Sequence, residues 1–274
     1  MSELAGLVRV DYPIVMLSSP PTPLSASNHA VARRPPSSIH TVGRARGMAL
    51  SACAAACLAG SLASAAAAQG RVIDEGTFVI TRPNGASATE NFRITRIDNG
   101  QIQATGQLTS GARRETSKLV TDSLGTPLDY QVVSFDGTSR TPATEIRASA
   151  GAGRLSALAR NRRGEESMHE YPMTPGRCLL VDDQLMHLLY FAPLAKREGA
   201  VEVINPRAAH GGSFTLAAHG LEPVIVGGKS VTGTHYSLTN GAVTRDFWVD
   251  SAGMLLRVEL RGANVVATRE ELPR

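Results

Sequence analysis

The chain has 274 residues, with 28 Lys+Arg against 24 Asp+Glu and a formal net charge of +4. Five of the basic residues (Arg9, Arg33, Arg34, Arg44, Arg46) and two of the acidic ones (Glu3, Asp11) precede Gln69, which leaves 23 against 22 in residues 69–274. That balance gives no electrostatic footprint for nucleic acid, and the doublets Arg113-Arg114, Arg162-Arg163 and Lys196-Arg197 read as solvated turn or edge residues.

Residues 1–47 are rich in Pro, Ser and Arg, with Pro20, Pro21, Pro23, Pro35 and Pro36, and carry little periodicity. Such a composition reads as a disordered leader. It is expected to be an artefact of start-site choice, with Met1, Val42 and Met48 as the alternative starts. The uncharged run Met48–Ala68 comes next. Arg44 and Arg46 supply a basic flank, Met48–Leu62 an apolar region, and Ala63-Ser64-Ala65 and Ala66-Ala67-Ala68 two A-x-A cleavage patterns. These are the three parts of a secretory signal peptide. The run is long enough to span a bilayer, which needs roughly 20 apolar residues. However, Leu50, Leu58 and Leu62 are its only strongly apolar side chains, so cleavage near Ala65 or Ala68 is preferred to a retained anchor. Leu50-Ser51-Ala52-Cys53 resembles a lipobox but precedes its apolar region instead of following it. The expected location is the periplasm or outer envelope of a bacterium.

Residues 69–274 suffice for a single β-rich domain with a sizeable core. Period-two alternation dominates: Phe92 and Ile94, then Ile102, Ala104, Gly106 and Leu108, and later Leu256, Val258 and Leu260 each alternate with polar neighbours. This is the mark of half-buried antiparallel strands. Asn84-Gly85, Asp98-Asn99-Gly100, Asp136-Gly137 and Asn240-Gly241 punctuate them as hairpin turns. The Ala/Gly/Arg-rich stretch 148–163 is ambiguous and reads as a strand and a mobile loop. In 181–192, Val181, Leu185, Leu188, Leu189 and Ala192 make one helical stripe. That spacing predicts the main helix, with Asp182 at its N-terminus and Pro193 ending it, packed across the sheet. Two segments with matched turns, around Leu108–Val133 and Leu238–Leu260, predict a pair of three-stranded meanders. The predicted fold is therefore mainly β, a curled antiparallel sheet or partly open barrel of meanders with one covering helix.

Cys53 and Cys57 leave with the signal, so Cys178 stands alone and cannot form an internal disulfide. Next to Leu179-Leu180-Val181 it reads as a small buried hydrophobe. His169, His187, His210, His219 and His235 lack the short spacing of a zinc site, and no cofactor is implied. Trp248 shares a strand face with Asp246 and Asp250. It either packs under the helix or lines a cleft in the curled sheet. Tyr236 on the neighbouring strand, with His187 and Tyr190 on the helix, completes a candidate ligand-binding set for a lipid or other apolar small molecule. The competing chemistry is a His235 dyad with Asp246 or Asp250, though no G-x-S-x-G nucleophile elbow accompanies it.

From Val181-Asp182-Asp183-Gln184-Leu185 through Gly199, Gly227-Gly228-Lys229, His235-Tyr236-Ser237-Leu238 and Asp246-Phe247-Trp248-Val249-Asp250 to Gly253-Met254-Leu255, the chain resembles the DUF3108-type group of exported bacterial proteins. The resemblance implies a curled antiparallel sheet in the cell envelope and no catalytic residue. Three functions stay open: a non-enzymatic envelope protein binding an apolar or amphipathic ligand, an exported hydrolase, and a structural assembly module.

Overall fold

The structure, a computed structural model, describes residues 70–274 apart from 98, 196, 197 and 242. The leader and signal-peptide segments lie outside the described residues. Fifteen strands form one sheet: β1 (Arg71–Thr81), β2 (Ser87–Arg96), β3 (Ile102–Ser110), β4 (Arg113–Thr121), β5 (Pro127–Asp136), β6 (Thr144–Gly151), β7 (Arg154–Asn161), β8 (Glu166–Pro172), β9 (Cys178–Leu180), β10 (Gly199–Asn205), β11 (His210–Val226), β12 (Lys229–Asn240), β13 (Val243–Val249), β14 (Leu255–Leu260) and β15 (Val265–Arg269). The first and last strands pair in the middle of the sheet, and the two halves of the chain meander outward from them to edges at β8 and β9. Neighbours are antiparallel except β9 and β10, which run parallel.

This topology forces the curl. Five residues, Met173–Arg177, carry the chain from one edge strand to the other. Fully extended, that link reaches about 20 Å. Fifteen strands laid flat would put the edges about 67 Å apart. The sheet must therefore roll until its edges lie within about 20 Å of each other, and the link is pinned on the way by Gly176 N–H donating to Thr126 Oγ1 at 2.9 Å.

Alternation sorts the side chains of the roll. Phe92, Ile94, Ile102, Ala104, Leu108, Leu119, Tyr130, Val132 and Ile146 point inward and are buried. The expected turn glycines adopt positive φ at Gly85, Gly100, Gly137 and Gly241, which glycine alone does without steric cost. Both predicted meanders form, as β3–β4–β5 and β12–β13–β14. The ambiguous 148–163 stretch falls in the hairpin β6–β7 up to Asn161, with 162 and 163 in the turn that follows.

The covering helix is corrected. Residues 181–192 hold a six-residue 3-10 helix, Met186–Phe191, with every side chain in it buried. The chain dips into the interior of the roll after β9, so the positions between the predicted stripe are as enclosed as the stripe itself. Asp182 does not cap it: the N-cap position is Leu185, without a side-chain cap. Asp182 instead accepts from Tyr130 Oη at 2.9 Å and from Arg207 Nε at 2.9 and 2.8 Å. Pro193 opens a second 3-10 turn, Pro193–Ala195.

Candidate functional site

Among the described residues polar side chains meet apolar surroundings in several places, and two of these bear on function. The first is on the outer face of the C-terminal meander. Pairing of β11 with β12 runs Ala218↔Tyr236 and then Gly220↔His235, so His219 is a bulged extra residue, and Gly220 takes φ +104°. A bulge reverses the inside-outside parity of the residues beyond it. Before it, Phe214 and Leu216 join the interior core; after it, Val224 and Val226 pack on the opposite face with Trp248 and Leu256. The β11–β12 arm, not a helix, covers Trp248.

The bulge also assembles a side-chain cluster. His235 Nδ1 lies 3.0 Å from Glu222 Oε1 and Nε2 lies 2.8 Å from Asp246 Oδ1. Its ring stacks on Trp248 with centroids 4.5 Å apart and lies 4.7 Å from the ring of His219. Trp248 Nε1 donates to Glu222 Oε2 at 2.9 Å, and Arg261 Nε donates to the buried Asp246. The Trp248 and His235 hydrogen bonds hold the Glu222 carboxyl below the usual range. His219 Nε2 meets Ser237 Oγ at 2.7 Å. The sequence-predicted pair His235–Asp246 thus comes together. Asp250 does not join it; its Oδ1 accepts from Ala252 and Met254 N–H in the turn before β14. Glu222 and His219 were missed because only the bulge brings them in.

The remaining predicted ligand residues are dispersed. Tyr236 points to the opposite face of β12 and stacks on Phe247 with centroids 5.4 Å apart. His187 and Tyr190 are buried in the 3-10 segment. His187 Nδ1 meets the equally buried Glu90 at 2.6 Å. Burial, and then the charge of Asp74, push the Tyr190 hydroxyl up. Trp248 and these three side chains do not face one common cavity.

The second place is the seam where the rolled edges meet. Gly211 has the outward parity of the exposed Ser213 and Thr215, yet a Cβ there would stand 2.9 Å from Tyr171 Cδ1. Tyr171 is buried on the inward face of β8, with Leu155 of β7. The inward face of the β7–β8 edge therefore overlaps the outward face of β10–β11, as in a scroll. A cleft of about 280 Å3 opens at this overlap, lined by Tyr171, Pro172, Glu202, Val203, Ile204, Gly211, Gly212 and Ser213. Two buried polar atoms here, Tyr171 Oη and Glu202 Oε2, have no hydrogen-bond partner among the described residues. Desolvation pushes the Tyr171 hydroxyl up. The Cys178 thiol beside Glu202 is pushed up to about 12 by burial and that carboxylate. Gly211-Gly212 was the one legible hint in this stretch, since adjacent glycines in a strand mark close approach of another element.

Among the described residues no group of three or more His, Cys, Asp or Glu is arranged to hold a metal ion. No helix of the described residues is long and apolar enough to cross a membrane.

No family model matches the chain, and no curated protein matches it. Among solved structures it is similar to a β-barrel-like protein of domain of unknown function DUF1849 from Brucella abortus, at 8% identity and TM-score 0.45, covering 74% of this chain and 98% of that one.

Proposed function

We propose that the protein is an exported cell-envelope module, non-enzymatic, that binds an apolar or amphipathic small molecule. Export is supported by the basic flank, apolar run and A-x-A patterns of Arg44–Ala68. Binding is placed at the seam and not in the interior of the roll, because Met186–Phe191 fills that interior with buried side chains. The observation that carries the reading is the seam cleft: an apolar wall from Ile204, on the face of Gly211, with two buried polar atoms lacking partners among the described residues. A concave apolar site with a few convergent polar groups is the usual form of a small-molecule site. The test is to purify the mature protein from the envelope fraction and weigh it under native conditions. A co-purifying small molecule that is lost in Ser213→Trp, which blocks the exposed rim, supports binding; a ligand-free wild type counts against it.

A second reading, the exported hydrolase, rests on the outer-face contacts His235–Asp246 at 2.8 Å and His219–Ser237 at 2.7 Å. Here His219 would deprotonate Ser237, with His235 and Asp246 behind it. Ser237 is only 7% exposed and has no elbow-type turn around it, which favours the binding reading. Labelling by a fluorophosphonate probe, abolished by Ser237→Ala, would reverse that preference.

A further inference from the structure

Resting on the seam as the binding site, we infer that the cleft selects ligands with a cationic head, an ammonium group on a short apolar tail. The selectivity stems from what the cleft lacks as much as from what lines it. Glu202 is the sole charged residue among the lining side chains. Its Oε2 is buried with no donor among the described residues. A carboxylate oxygen withdrawn from water without a donor is costly, and a bound cation removes that cost. Arg177, the basic residue next to the β9 position paired with Glu202, does not supply it: it meets Glu202 through the backbone, its carbonyl accepting from Glu202 N–H at 2.7 Å.

The second wall is Tyr171. Its ring is held against the Gly211 backbone, where an aromatic face can meet an alkylammonium by cation–π attraction. Its hydroxyl is buried, has no partner among the described residues and is available to a polar ligand head. Ile204, 2% exposed and on the same face as Gly211 and Glu202, provides the apolar floor. A volume of about 280 Å3 holds roughly nine atoms of water size, enough for a head group and a short alkyl chain but not a full lipid. An anionic head would face Glu202 with nothing to offset it.

The experiment is a calorimetric titration of the whole mature protein with three probes sharing one pentyl chain: pentyltrimethylammonium bromide, 1-pentanol and sodium pentane-1-sulfonate. The expected order is ammonium tightest by about tenfold over the alcohol, with the sulfonate weakest. In Glu202→Gln the ammonium advantage over the alcohol is expected to vanish. In Ser213→Trp all three are expected to fail, with thermal unfolding as in the wild type. Equal affinity of ammonium and alcohol, or an ammonium preference that survives Glu202→Gln, overturns the cationic selectivity and leaves an apolar seam site standing. No binding by any probe overturns both.

Discussion

Arg269 and Asp74 are each 3% exposed in their side chains and meet through two N–H···O bonds of 2.9 and 2.7 Å. The guanidinium also lies 5.3 Å over the Phe92 ring. Removing one partner of such a pair strands a buried charge, so Arg269→Met is expected to cost about 3–5 kcal/mol in urea unfolding. The double variant Arg269→Met with Asp74→Leu should recover most of that loss. Glu222 behaves differently. Its folded-state carboxyl is depressed by the Trp248 and His235 hydrogen bonds. Its contribution is therefore fully present above the ordinary glutamate range and is lost as pH falls through that range to the folded value. The wild type should lose more thermal stability than Glu222→Gln between about pH 5 and pH 3, read from melting curves at each pH. Cys178, buried with its thiol pushed up to about 12, should resist iodoacetamide at pH 8 until denaturant is added.

At the scale of elements, the interior segment decides stability. Phe191 is 1% exposed at the end of the 3-10 helix, where its ring meets Tyr190 edge-on at 5.4 Å. Phe191→Ala is expected to cost about 3–5 kcal/mol, whereas Ile225→Ser on the outer arm, where the side chain is 54% exposed, should stay within about 0.5 kcal/mol. Gly106 is the matching gap in β3: a Cβ there would stand 2.5 Å from His187 Cε1 and 2.8 Å from Ser117 Oγ. Much of this level was legible. Ile102, Ala104 and Leu108 announce their strand by alternation, and Asn240-Gly241 sets the β12–β13 register that brings His235 beside Asp246. The 3-10 segment was not legible as such. Val181, Leu185, Leu188 and Leu189 satisfy a helical stripe, but Met186, His187, Tyr190 and Phe191 between them are buried too. Periodicity describes an element with one wet face, and a segment threaded through a rolled sheet has none. The bulge at His219 hid Glu222 for a related reason: one extra residue inverts the alternation on which face assignments rest.

At the scale of the molecule, the short Met173–Arg177 link turns a fifteen-stranded sheet into a scroll, and the scroll makes the seam. No local pattern in the chain relates Tyr171 to Gly211, because their contact follows from closure alone. Gly211→Val would force β8 away from β11 and should raise hydrogen exchange in β8 while β1–β5 keep their protection. The central claim, an exported module holding an amphipathic molecule in that seam, is tested most directly by the native mass of the protein purified from the envelope fraction. The expected result is a chain beginning just after Ala65 or Ala68, carrying a small molecule that Ser213→Trp abolishes. An intact Met1 on a ligand-free protein would contradict it.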